Sequence, residues 1–203
     1  MNNKKKIVFL GESTTGKTSI AYRLIKNEFP KEEIGSTIGA SFMILTLNNM
    51  KYEIWDTAGQ ERYLSLVEMY YRKSDIVLLV FNLSDTNTIC RLNYYLKKIS
   101  ENLDGDYKVL IIGNKLDLIK KENLSKIDKF VKESLFEFNF MKDQIEYIYI
   151  SAKTGDNFEE FTKKLVEYGE NTFKEEDKIR YKESINLNEI QEFPYNLRNY
   201  CYC

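Results

Sequence analysis

No apolar run in this 203-residue chain approaches the length of about 18 residues that a membrane-spanning helix needs. The first residues, Met1 to Lys6, are charged, and the apolar stretch after them ends at Leu10, so no secretory signal peptide is expected. Position 2 is Asn2, not glycine, so N-myristoylation is not expected. Neither sign of charge dominates: 30 Lys and Arg face 31 Asp and Glu, a net charge of −1. That balance gives no general pull toward nucleic acid or anionic lipid. Cysteine is scarce, at Cys90, Cys201 and Cys203. An odd number without framework spacing argues against a secreted disulfide scaffold and for a reducing, cytosolic compartment. There are no internal repeats.

What is present suits one domain with a core and some extra length, at 43% hydrophobic and 30% charged residues. Strand-like runs occur at Lys6–Leu10, Ser41–Leu47, Tyr52–Trp55, Ile76–Phe81, Val109–Ile112 and Ile145–Ile150. Between them lie helical patterns at Ser19–Ile25, Thr88–Ser100, Ser125–Phe138 and Asn157–Tyr168. This alternation predicts an α/β fold with a mostly parallel sheet and helices on both faces. Only the Asn48-Asn49 link is short enough for a hairpin, so one strand of six should be antiparallel. The predicted domain runs over 1–173. Residues 174–203 are polar, mixed in charge and aperiodic, and read as a flexible tail with transient helix around Ile185–Ile190.

Gly11-Glu12-Ser13-Thr14-Thr15-Gly16-Lys17-Thr18 matches GxxxxGK[ST] between a buried strand and a helix start. Such a loop turns successive N–H groups onto phosphate oxygens, and the helix end adds positive potential. Lys17 is expected to reach the β- and γ-phosphates, and the Thr18 hydroxyl to ligate Mg²⁺. This loop alone leaves ATPases, kinases and GTPases open. Asn114-Lys115-Leu116-Asp117 follows a strand in the pattern NKxD. A carboxylate at Asp117 can accept from guanine N1–H and the exocyclic amine, a donor pair that adenine lacks. The stem of Lys115 can cover the base. In Asp56-Thr57-Ala58-Gly59-Gln60-Glu61, Asp56 is placed to hold Mg²⁺ through water, Gly59 to offer its N–H to the γ-phosphate, and Gln60 to orient the attacking water.

Residues 55–63, Trp-Asp-Thr-Ala-Gly-Gln-Glu-Arg-Tyr, resemble the switch II signature of the Rab GTPases of the Ras superfamily. Thr37-Ile38-Gly39 resembles their switch I, and Ser151-Ala152-Lys153 their third base-binding element. The resemblance covers residue 4 to about 168, with all five nucleotide motifs in order. It implies a P-loop G domain binding GTP or GDP with Mg²⁺ and hydrolysing GTP. Ser13, Thr14, Thr15, Gly16 and Ser19 then belong to the nucleotide cradle. Thr37 supplies a second Mg²⁺ ligand and a γ-phosphate contact. Phe29 lies edge-on to the base, unless it is a half-buried core aromatic. Ala152 gives its N–H to guanine O6, and Lys153 packs beside it. Switch I holds Lys31 but no arginine to act in cis, so intrinsic turnover should be about 10⁻⁴ to 10⁻³ s⁻¹ and should await an activating protein.

Gly11-Glu12-Ser13, Ser36–Phe42 and Tyr63–Tyr71 look most like early-endosomal members of that family. The family implies an exposed aromatic surface of Phe42, Trp55 and Tyr70 that effectors read; ordinary core packing is the alternative, most of all for Trp55. Cys201-Tyr202-Cys203 resembles a CxC double-prenylation signal; an untidy tail bearing two thiols is the alternative. Lys174, Lys178, Arg180, Lys182 and Arg198 are matched by Glu175, Glu176, Asp177, Glu183, Glu189 and Glu192, so charge alone cannot anchor the tail. Two lipids would. Implied partners are effectors, an exchange factor, a GTPase-activating protein, a GDP-dissociation inhibitor, a prenylation escort and an endosomal membrane; the chain is expected to be a monomer with a cytosolic pool. Ile119–Glu146 departs from the family pattern, and 141–144 is expected to lengthen a loop. A GTP-bound scaffold without hydrolysis and an ATP-dependent P-loop enzyme remain as competing readings. Gln60, Asp56 and Thr37 oppose the first; Asp117 and Ser151–Lys153 oppose the second.

Overall fold

Alternating apolar side chains sort this chain into one sheet with two buried faces. The computed structural model describes residues 4–32, 34–59, 69–103 and 105–170. Its strands are β1 (Lys4–Leu10), β2 (Ala40–Leu47), β3 (Met50–Thr57), β4 (Ile76–Asn82), β5 (Lys108–Asn114) and β6 (Ile145–Tyr149). They form one six-stranded sheet in the order β2-β3-β1-β4-β5-β6. Among the described strands only the β2–β3 pair is antiparallel. Its turn places both Asn48 and Asn49 at positive φ, 46° and 61°, which a tight two-residue hairpin requires.

The helices are α1 (Lys17–Lys26), α2 (Thr86–Cys90), α3 (Leu92–Asn102), α4 (Lys121–Phe136) and α5 (Phe158–Glu170). Ile7 and Phe9 of β1 pack with Ile20 of α1 and Phe161 and Leu165 of α5. Val8 and Leu10 point the other way, into Leu96 and Ile99 of α3 and Val131 of α4. Every residue of β4 is buried, as a central parallel strand covered on both sides must be.

Two predicted helices differ from the expectation. Thr88–Ser100 is two helices, broken at Arg91. Asp85 starts the first by accepting from Asn87 N–H at 3.0 Å. Thr88 accepts from Asn82 N–H at 2.9 Å, fastening that short helix to the end of β4. The fourth helix begins at Lys121, four residues before the predicted Ser125, and ends at Phe136. After it, Asn139–Met141 forms a 3₁₀ turn whose Met141 is buried, and Gln144 N–H donates to Met141 O at 2.8 Å. This loop therefore folds back onto the core. Phe136, at the end of α4, and Phe140, within the turn, stay exposed.

Candidate nucleotide site

The carboxyl ends of β1, β3 and β5 and the start of α1 meet along one edge of the sheet, where open α/β folds gather their ligands. The loop from Gly11 to Thr18 crosses that edge. Gly16 has φ +93°, and a Cβ there would stand 2.3 Å from Asn114 Nδ2. Only glycine permits this approach. Lys17 is buried, and its Nζ donates to Gly11 O and Glu12 O, both at 2.7 Å. Burial pulls its pKa down to about 8, opposed by the nearby carboxylates of Asp56 and Glu12.

In front of this loop is a cavity of about 410 Å³. Its walls bring together Ser13, Thr14, Gly16, Lys17, Thr18, Ser19, Phe29, Thr37, Gly59 and Lys115, which lie far apart in sequence. Thr15 is buried behind the wall, its hydroxyl donating to Glu12 O at 3.0 Å. Phe29 belongs to neither core cluster and borders the cavity, 38% exposed. That placement favours a base contact over core packing.

At one end of the cavity, Thr18 Oγ1 donates to Asp56 Oδ2 at 2.7 Å and lies 3.1 Å from Thr37 Oγ1. Asp56 is fully buried, and its Oδ1 has no hydrogen-bond partner. Burial raises the Asp56 pKa, opposed by the Thr18 hydrogen bond and by Lys17. An orphaned buried carboxylate oxygen beside two hydroxyls is a set of hard oxygen donors, and it fits a hydrated divalent cation such as Mg²⁺.

Beyond Lys115, which lines the other end of the cavity, a set of hydrogen bonds joins the NKxD loop to the third base loop, whose residues do not line the cavity. Asn114 Nδ2 donates to Thr15 O at 2.9 Å, and its Oδ1 accepts from Ala152 N–H at 3.0 Å. Asn114 therefore pins three loops together, a role its place in NKxD does not reveal. Ser151 Oγ donates to Asp117 Oδ1 at 2.6 Å and accepts from Thr154 N–H at 3.0 Å. Asp117 itself is exposed, and Lys115 takes a left-handed backbone, φ 65°. The Ala152 N–H is turned onto Asn114, so a base O6 would share it. Lys153 is exposed beside them. Arg23 of α1, which the sequence reading did not single out, donates from Nη1 to Ala152 O at 2.9 Å and Lys153 O at 3.3 Å. Its guanidinium lies 5.6 Å from the Phe158 ring, and Gly155 leaves room for it. No spacing rule links an arginine on one helix to a loop well over a hundred residues away.

Phe42, Trp55 and Tyr70 are brought together away from the cavity, with ring centroids 5.0 Å and 5.4 Å apart. Phe42 is 48% exposed, while Trp55 and Tyr70 are half-buried against the core. The rings form one continuous strip, partly packed and partly open. Gln60, Cys201 and Cys203 lie outside the described residues.

The model of the Ras family matches residues 6–171. The GTP-binding protein YPT53 of Saccharomyces cerevisiae is 34% identical over 156 residues, 75% of this chain and 70% of that protein. The Ras-related protein Rab-5B of Plasmodium falciparum is 34% identical over 179 residues, 86% of this chain and 82% of that one. The Ras-related protein Rab-11B of Dictyostelium discoideum is 38% identical over 139 residues, 66% of this chain and 63% of that one. With the phosphate loop and Lys115 lining one cavity, with the third base loop hydrogen-bonded to Asn114 and Asp117 beside it, and with these matches spanning the described fold, the chain belongs to the Ras family of small GTPases, in its Rab branch.

Proposed function

We propose that this protein is a switch that binds GTP with Mg²⁺, hydrolyses it to GDP and phosphate, and regulates vesicle traffic on the endocytic route. The observation that carries the chemistry is the orphaned Asp56 Oδ1 beside Thr18 and Thr37, on the rim of the cavity that Lys17 and Lys115 line. Asp117, Ala152 and the stem of Lys115 select guanine, and Phe29 borders the base. Ser13, Thr14, Thr15, Gly16 and Ser19 surround the phosphates. Lys17 places its ammonium on the β- and γ-phosphates. Mg²⁺ held by Thr18 and Thr37, with Asp56 behind a water, would neutralise charge on the β- and γ-oxygens. Gln60 orients a water onto the γ-phosphorus. The new P–O bond forms as the bond to the β–γ bridging oxygen breaks, leaving GDP and inorganic phosphate.

Thr37 and Gly59 both contact the γ-phosphate, so its loss releases both loops. The strip of Phe42, Trp55 and Tyr70 then offers effectors a state-dependent surface. Exchange factor, activating protein, GDP-dissociation inhibitor and escort follow from the Rab branch. The endocytic assignment rests on the early-endosomal look of Ser36–Phe42 and on relatives named Rab-5B. Membrane attachment is assigned to two prenyl groups on Cys201 and Cys203 in the tail 174–203, beyond the domain 1–173; no helix among the described residues is long and apolar enough to cross a membrane.

A single-turnover assay tests the chemistry. GTP should be consumed slowly and outcompete ATP, and Gln60→Leu should prolong the GTP state with and without an activating protein. Turnover in Gln60→Leu equal to wild type removes Gln60 from the mechanism, and equal competition by ATP removes the guanine reading. In cells, the tagged protein should mark endosomes, and Cys201→Ser/Cys203→Ser should be diffuse.

A further inference from the structure

The side chain of Glu12 points out of the phosphate loop, away from the cavity that the neighbouring Ser13 and Thr14 line. Its Oε1 accepts from Arg91 Nε at 2.9 Å and from Tyr95 OH at 3.2 Å. Arg91 is the residue at which the helix breaks, and Tyr95 lies one turn into α3. The break matters because Arg91 ends one helix and opens the next, which aims its side chain at the loop. The guanidinium also lies over the Tyr94 ring, 4.3 Å from its centroid, which limits where it can swing. Tyr95 is buried, so its hydroxyl is a fixed donor.

The main chain of Glu12 faces the opposite way. Its carbonyl accepts from Lys17 Nζ at 2.7 Å and from the Thr15 hydroxyl at 3.0 Å. A Cβ at Gly59 would stand 2.4 Å from Lys17 Nζ and 2.5 Å from Glu12 O. One peptide therefore meets both Lys17 and Gly59, the two groups assigned to the γ-phosphate. Its orientation depends on the Glu12 backbone, and the carboxylate anchors that backbone from behind.

We propose that Arg91, with Tyr95, is a positioning residue: it holds the Glu12 carboxylate so that the Glu12 carbonyl sets Lys17 and Gly59 for the γ-phosphate, and it thereby tunes the preference for nucleoside triphosphate over diphosphate. The inference rests on the nucleotide reading above. Lys17 also serves the β-phosphate, but Gly59 serves the γ-phosphate alone, so the effect falls mainly on the triphosphate. The Arg91–Glu12 pair is partly solvated, and the expected size is correspondingly modest.

The test uses the full chain with Mg²⁺ and measures dissociation rates of fluorescent GDP and of a fluorescent non-hydrolysable GTP analogue. Wild type must bind both; failure to bind either overturns the nucleotide reading itself. Arg91→Ala should speed triphosphate release on the order of fivefold while GDP release changes less than about twofold, a modest coupling between sites. Arg91→Lys should recover part of the effect, and Glu12→Arg/Arg91→Glu should recover more than either single change. Circular dichroism melts of the same variants report folding separately. Equal acceleration of both nucleotides shows that the pair merely packs the loop and overturns the proposal. Unchanged release of both also overturns it.

Discussion

The two ends of the cavity are built differently. At the base end, Asn114, Asp117, Ser151, Ala152 and Arg23 are tied to one another or to neighbouring backbone at 2.6–3.3 Å. At the γ-phosphate end, Ile34, Gly35, Ser36 and Ile38 are exposed, and Thr37 meets the Thr18 hydroxyl at 3.1 Å. A site finished before binding recognises its ligand without rearranging. A site that needs the ligand to finish it can report whether the ligand is there. On the proposed function, the base end would serve affinity and specificity, and the γ-phosphate end the switch.

If that division is right, damage at the base end should cost GTP and GDP alike, and damage at the other end should cost GTP alone. The largest effect is expected from Asp117→Ala, which removes two charge-assisted hydrogen bonds to the base. Competition binding should show both nucleotides weakened by roughly 10²- to 10⁴-fold. A loss confined to GTP would break the comparison. Thr37→Ala should weaken a GTP analogue on the order of tenfold and leave GDP within about twofold, read by calorimetry at fixed Mg²⁺. Arg23→Ala should be milder, about fivefold for both nucleotides, since it loosens the loop of Ala152 without touching the base. A larger loss for GTP than for GDP there would move Arg23 to the other end of the cavity.

The smallest expected effect concerns the support beneath the base end. Tyr52 of β3 is fully buried and donates to Leu165 O of α5, the helix that follows the base loop, at 2.9 Å. Burial, with help from Glu170, pushes its pKa up to about 12. Below the ordinary tyrosine value of about 10 both folded and unfolded chains keep the proton, so there is no pH dependence from this group. Above it the unfolded chain ionises first, so stability should fall as pH rises from about 10 toward 12. Tyr52→Phe should flatten that fall in denaturant titrations at alkaline pH. An unchanged alkaline slope would show that Tyr52 ionises as readily in the fold as outside it.

How much of this was legible beforehand depended on how local the signal was. The phosphate loop, NKxD and the Asn48-Asn49 hairpin are written in consecutive residues, and each sits where its spacing said. Phe29 could be named by resemblance, but its place on the cavity rim, outside both core clusters, could not be read from the sequence. The break at Arg91 was invisible, because no glycine or proline marks it and the apolar spacing runs on through Leu92, Tyr95, Leu96 and Ile99. Thr88, bonded to Asn82, instead fixes the first helix against the end of the previous strand, a contact no local spacing shows. The early start of α4 was not legible for a related reason: its first turn, Lys121-Glu122-Asn123-Leu124, is mostly polar and carries little apolar pattern to read.

By itself, the sequence determined the chemistry on offer: which strands are buried, where the backbone is expected to curl around phosphate, and which carboxylate is expected to tell guanine from adenine. These follow from residue type and short spacing, which act before the chain folds. Only the tertiary structure decided the connections. It set Asn114 between three loops, Arg23 under Ala152, Arg91 behind Glu12, and the buried Asp56 oxygen beside two hydroxyls. Each joins residues from distant parts of the chain, and such pairs acquire distance and direction only once the sheet has brought their elements together.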